Sequence, residues 1–144
     1  EDAKELLRTN KRAAFSVHGD DGYPYTVPID FYYDEPENRI YFHSARAGHK
    51  IDSIKANDKV CFTTWNDWER ENGDWAYYVS SCVVFGRAIL IEDRALTEEK
   101  VRIFALKYYP SAEEVEEEIR KDIQGVQLVA IDIEHISGKR VHEK

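Results

Sequence analysis

Two prolines, Pro24 and Pro28, fall inside Tyr23 to Tyr33, a run of aromatic and β-branched residues that otherwise reads as one long strand. Proline has no backbone N–H and cannot donate to a ladder, so part of this strand must lie at a sheet edge or a bulge. A sheet interrupted there leaves backbone groups free to meet something other than a neighbouring strand. The rest of the chain has to be arranged around that break.

Upstream, Ala3 to Arg8 is a short helical candidate, Arg12 to Val17 reads as a strand, and His18 to Gly22 as a turn whose Asp-Gly pair supplies positive φ. Downstream, Asp34 to Asn38 is a polar turn and Arg39 to His43 a returning strand. A helix is expected over His49 to Ala56, a strand over Val60 to Trp65, and a long strand or bent pair over Trp75 to Ile91, with the bend near Gly86. Thr97 is the expected N-cap of a helix carrying Val101, Phe104, Ala105 and Tyr108 at helical spacing, stopped by Pro110. A glutamate-rich helix over Ala112 to Lys121 buries little besides Val115 and Ile119, a last strand spans Val126 to Glu134, and Ile136 to Arg140 reads as a polar tail.

Strands and helices do not alternate, which argues against a doubly wound parallel sheet. The expected architecture is mainly β (α+β): a single domain over residues 1–144, an antiparallel barrel with peripheral helices, because closure removes the edges so many strands would expose. Cys61 and Cys82 sit among strand formers and read as buried free thiols. No metal-ligand spacing links the five histidines to one another or to the cysteines, so no metal is expected.

The net charge of -8 repels a phosphate backbone, so nucleic acid is not an expected partner. No stretch reaches the roughly 20 apolar residues of a membrane helix. The first residues lack a secretory pattern, making the cytoplasm the expected compartment. A small anion is a different matter. Ser44, Arg46, His49 and Lys50 gather where a strand runs through Gly48 into a helix start, whose unpaired N–H groups could hold a phosphate monoester. The same residues also read as an ordinary capped helix with solvated charges. Trp65, Trp68 and Trp75 bracket the charged segment Asn66 to Asp74, where a lid or a subunit contact is expected.

Tyr23 to Phe31, Ile40 to Ala45 and Gly48 to Asp52 together resemble the flavin split-barrel superfamily, within it the pyridoxamine 5'-phosphate oxidase-related, nitroimidazole-resistance (Nim-like) group. The likeness extends through Asn57 to Phe62, Ser81 to Ala88 and Ile136 to Lys139. It implies a six-stranded antiparallel split β-barrel and a homodimer with FMN in clefts at the subunit interface. The family's phosphate positions fall on Ser44, His49 and Lys50, with His43 beside them. Its flavin ring lies against Val27, Pro28, Ile29 and Asp30, and a further polar contact corresponds to Ser81. The oxidases proper carry an arginine where His49 stands and a lysine where Asp30 stands, and their Arg-rich C-terminal motif is missing from Ser137 to Lys144. The implied activity is therefore an FMN-dependent oxidoreductase, a reductase of small molecules such as nitroaromatics, with NAD(P)H as a candidate donor. His43 is the candidate catalytic residue, for proton delivery. Two other readings stay open: a flavin or haem module without turnover, and use of the deazaflavin F420.

Overall fold

The computed structural model describes residues 2–66, 69–70, 77–108 and 111–143. Trp68 and Trp75 lie outside the described residues. Among those described, helix α1 (Asp2–Thr9) precedes β1 (Arg12–His18), β2 (Pro24–Asp30), β3 (Tyr32–Asp34) and β4 (Arg39–Ala45). Next come α2 (His49–Ala56), β5 (Lys59–Trp65), the two-residue β6 (Glu69–Arg70) and β7 (Tyr77–Ile91). Two helices, α3 (Arg94–Tyr108) and α4 (Ala112–Asp122), lead to β8 (Val126–Glu143).

All pairings are antiparallel, in the order β2-β1-β5-β7-β8-β4-β3, with β6 on β7. The two ends of that order, β2 and β3, are consecutive in the chain and separated by Phe31 alone. One residue thus carries the backbone from one edge of the sheet to the other and curls the sheet into a split barrel. The run from Tyr23 to Tyr33 was expected as one strand of a six-stranded barrel. It is two strands because Pro24 and Pro28 fit an edge that pairs only with β1, while Tyr32 to Asp34 pair with β4.

The barrel interior is filled by side chains that alternate inward: Phe15, Phe31, Phe42 and Phe62 are fully buried. Phe15 tilts against Phe42 at 4.7 Å, and Phe31 meets Phe62 edge-on at 4.8 Å. Each such ring contributes roughly 1.5–3 kcal/mol on leaving water. Leu6 and Leu7 of α1, with Ile51 and Ile54 of α2, join the same core. A second apolar layer lies outside the barrel, where Tyr41, Leu128 and Ala130 pack under Val101, Ala105, Val115 and Ile119 of α3 and α4. No helix among the described residues is long and apolar enough to cross a membrane.

Three local readings change. Asp93, not Thr97, caps α3: its carboxylate accepts from the N–H groups of Ala95 and Leu96, and Thr97 is buried a turn further on. The expected polar tail is strand, because β7 is long enough to pair with β8 from Ile91↔Leu128 to Tyr77↔Glu143. Ser137 to Arg140 are all exposed, so a waiting partner strand, not apolar alternation, makes them β. The bend near Gly86 is a register shift between Phe85 and Gly86, and a Cβ there would collide with the Asp132 carbonyl.

The corner at Phe31 is held by the end of α3. Lys107 Nζ donates to the carbonyls of Asn10 at 2.8 Å and Phe31 at 3.2 Å, and lies 4.8 Å from the Phe31 ring centroid. The Tyr108 hydroxyl stands 2.6 Å from the Lys11 carbonyl and 2.9 Å from that of Phe31, its single proton shared between them. The Asn10 and Phe31 carbonyls at the corner find donors here, and the Lys11 carbonyl also accepts from the Phe31 N–H at 3.1 Å. Below the corner, buried Lys100 bonds Asp34 at 2.9 Å and Glu37 at 2.8 Å, tying α3 to the β3–β4 turn. Burial opposes the Lys100 charge, yet the bonds to Glu37 and Asp34 prevail and hold its pKa above the usual lysine range.

Removing one partner of so enclosed a pair strands the other charge. Lys100→Met is expected to lower unfolding free energy in urea by about 3–5 kcal/mol, and adding Asp34→Asn to recover most of the loss. A single-variant loss below about 1 kcal/mol would mean that the pair behaves as a surface contact. Lys107 gives a pH signature of its own. Burial presses its pKa down to about 8, with Lys11 adding repulsion and Asp30 opposing. An unfolded lysine titrates near ~10.4, so across that interval the unfolded chain holds a proton that the folded chain lacks. The desolvation cost is fully present at pH values under the folded pKa and is relieved as pH rises through the interval. Lys107→Met is therefore expected to flatten the rise of unfolding free energy with pH over this alkaline window; an unchanged slope would remove the assignment.

Candidate functional site

Pairing between β3 and β4 runs from Asp34↔Arg39 to Tyr32↔Tyr41 and stops there. Past Phe31 the chain turns away as β2 to pair with β1, while β4 continues through His43, Ser44 and Ala45 with a strand neighbour only on the β8 side. A wedge opens between β2 and β4, with Phe31 at its apex and the start of α2 at its wide end. This is the interrupted edge that the two prolines require.

The sequence-nominated residues distribute around the wedge. Val27 is half-buried against the barrel core, Ile29 is buried in it, and Pro28 and Asp30 are exposed on the outer face of β2. His43 stands across from Asp30 on the opposite wall. Ile40 and Phe42 enter the barrel core while Tyr41 enters the outer layer, so alternation along β4 sends His43 outward and Ser44 to the other face. Ser81 lies elsewhere within the chain, on the outer face of β7, opposite Trp65 and Lys139.

At the wide end Gly48 adopts φ 139° and caps α2 without any side-chain acceptor, leaving open space where a Cβ would stand. The first-turn N–H groups of α2 therefore face outward uncapped. His49 packs edge-on against Tyr25 at 4.4 Å and lies 3.8 Å from Asp20, bridging α2 to the β1–β2 turn. Lys50 Nζ sits 5.7 Å from the Phe42 ring centroid, and burial lowers its pKa. No carboxylate among the described residues lies within ion-pair distance of Lys50. Arg46, expected in the same cradle, instead donates to the Gln124 carbonyl at 3.2 Å and ties the β4–α2 turn to the segment before β8. The donor set that remains, Lys50, His49, Ser44 and a free helix start, fits a phosphate monoester.

His43 keeps an exposed edge but meets the Phe104 ring edge-on at 4.8 Å. Loss of water lowers its pKa, Asp30 pulls it back up, and Lys50 lowers it further. The imidazole is neutral near pH 7 and has a carboxylate opposite to stabilise it when protonated. Behind it lies a cavity of about 260 Å³ between β4, α3 and α4 that sequence reading did not find. Its lining combines Asp30, His43, Phe104, Tyr108, Glu118 and Asp122 from four elements. The only signal for it in the sequence is that Glu118 and Asp122 flank Ile119 on α4, which reads equally as the border of a water-facing helix. Cys82 is buried, and burial raises its thiol to about 11, so it offers no thiolate.

The sequence matches the pyridoxamine 5'-phosphate oxidase family over residues 1–140. No curated protein matches it. Among solved structures, a candidate 5-nitroimidazole antibiotic resistance protein from Bacteroides thetaiotaomicron is similar at 19% identity and TM-score 0.81, covering 99% of this chain and 84% of that one. A FAD-binding protein from Mesorhizobium loti shares 22% identity at TM-score 0.69, over 97% of this chain and 93% of its own. The FAD-binding protein from Mycobacterium smegmatis shares 17% identity at TM-score 0.63, over 98% and 93%. At these identities the likeness concerns the split-barrel fold.

Proposed function

The chain belongs to the pyridoxamine 5'-phosphate oxidase family, and from that premise we propose that it binds FMN along the β2–β4 wedge and acts as a flavin-dependent reductase of a small molecule. The observation that carries this reading is Lys50. A half-buried ammonium without a carboxylate partner among the described residues, beside an uncapped helix start, is stabilised by an anion and most simply by a terminal phosphate. The flavin-binding proteins among the similar structures support the planar remainder of the ligand. Deazaflavin and haem are weaker fits, since neither brings the terminal phosphate monoester that Lys50 and the uncapped start of α2 suit.

When bound, the isoalloxazine supplies the electron transfer, with NAD(P)H as the expected donor. The chain supplies binding, orientation and proton handling. First-turn N–H groups of α2, Lys50, His49 and Ser44 hold the phosphate. Val27 to Asp30 present a strand edge, flattened by Pro28, against which a ring can lie. His43 exchanges a proton with the substrate, its neutral form favoured by burial and its charged form stabilised by Asp30.

A second copy of the chain is expected to cover the ring. Across the outer face of the sheet, Pro28, Ala14, Thr63 and Val83 stand in one row, and Thr26, Ser16, Cys61 and Phe85 in the next. Neither row carries a charge. Phe85, in the second of these rows, is 52% exposed, and Trp65, opposite Ser81 in the row beyond Val83, 53%. Two uncharged rows with Phe85 in one and Trp65 just beyond the other suit a symmetric contact, and such a contact carries Ser81 of each copy toward the interface.

Purified protein is expected to show the paired visible bands of oxidised flavin, bleached by NAD(P)H; a dominant Soret band, or no uptake of added FMN, would overturn the reading. In FMN titrations, Lys50→Ala should weaken binding by about 1.5–3 kcal/mol, the range of a charge-assisted hydrogen bond. His43→Ala should lower NAD(P)H-dependent turnover more than FMN affinity, and equal effects on both would make it a binding residue only. Light scattering at micromolar concentration should give twice the chain mass, and Trp65→Glu with Phe85→Glu should halve it. A wild-type monomer would rule the dimer out.

A further inference from the structure

The cavity beneath α3 and α4 has a sharply divided chemistry. Its walls are apolar and aromatic: Val101, Phe104 and Ala105 of α3 face Ile119 of α4, with Tyr108 stacked on Phe104 at 4.8 Å and 20°. The charged groups on its lining are all carboxylates, Asp30, Glu118 and Asp122, apart from the His43 imidazole that burial keeps neutral. Asp30 is met by Arg12 at 3.1 Å, whereas Glu118 and Asp122 have no ion-pair partner among the described residues. Three neighbouring cations are committed to backbone carbonyls. Arg94 donates to the carbonyls of Ile123 and Val126, Arg46 to that of Gln124, and Lys107 to those of Asn10 and Phe31.

We propose that this cavity is the substrate pocket, and that it selects a small planar aromatic cation, such as a protonated amidine or a protonated heteroaromatic ring. One ring face is matched by the stacked Phe104–Tyr108 wall, an edge carrying N–H donors is matched by Glu118 and Asp122, and His43 lies where pocket and wedge share a wall. The volume of about 260 Å³ admits one or two fused rings and excludes a dinucleotide. An anionic ring of equal size is disfavoured, because Glu118 and Asp122 would face it without a counter-charge. The assignment as substrate rests on the flavin reading; binding of the cation does not.

Three probes of one shape separate charge from fit: benzamidine, benzamide and benzoate, titrated into the full chain and followed by methyl resonances of Val101, Ile119 and Ile123. Benzamidine is expected to bind about tenfold more tightly than benzamide, with shifts confined to those methyls, and benzoate to bind more weakly than either. Glu118→Gln with Asp122→Asn should reduce the benzamidine preference to about twofold while benzamide binding persists, and Ala105→Leu should abolish both. Equal affinity for benzoate, or shifts away from the three methyls, overturns the pocket. FMN titration of the same samples keeps the two readings apart: FMN uptake without cation preference sinks the pocket alone, and cation preference without FMN uptake sinks its role in flavin chemistry alone.

Discussion

Everything in this molecule turns on how one residue, Phe31, passes the backbone between the two ends of the sheet order. A closed ladder there would need N–H groups that Pro24 and Pro28 do not have. The chain instead breaks its pairing, and the carbonyls of Asn10, Lys11 and Phe31 are taken up by Lys107 and Tyr108. α3 is consequently not a decoration on the barrel. It supplies side-chain donors to the carbonyls at the corner, and by reaching the corner it also forms the roof over His43. The fold's weakest ladder and its most chemically open region are the same place, as expected when backbone groups are released from one partner to be offered to another.

Charge is distributed along the same line. A chain of net charge -8 nevertheless places His49 and Lys50 at the wide end of the wedge, with no carboxylate among the described residues on Lys50, and gathers Asp30, Glu118 and Asp122 around the cavity behind its apex. Within one domain the field changes sign over the length of a small ligand. Such polarity orients a molecule whose anionic tail and polar ring must point in opposite directions, and it leaves the opposite sign for a second molecule at the far end.

Much of this was legible from residues alone. The proline pair announced the edge, Gly86 the bulge, and Gly48-His49-Lys50 the helix start, because each is a local matter of backbone freedom or missing donors. What escaped was non-local. Ser137 to Arg140 look like a tail since their strand character comes from β7, more than fifty residues away for Cys82↔Gly138. Thr97 looks like a cap since nothing local says that Asp93, two residues past the end of β7, has already started α3. Arg46 looks like a ligand for phosphate until the turn at Gln124 is folded beside it. The cavity escaped for the same reason, because its wall needs β2, β4, α3 and α4 together.

The position of β8 carries a consequence for how the chain is made. It inserts between β7 and β4, pairing Arg39 with Asp132 and Ala45 with Val126. During synthesis, β4 therefore emerges from the ribosome well before the strand that completes it. For that interval its apolar face, Ile40 and Phe42 included, borders an unfilled slot. A chaperone that shields extended hydrophobic segments, or a pause that keeps nascent chains apart, would matter most while that slot is empty, and fusions or truncations that delay β8 should be the ones that fall into inclusion bodies.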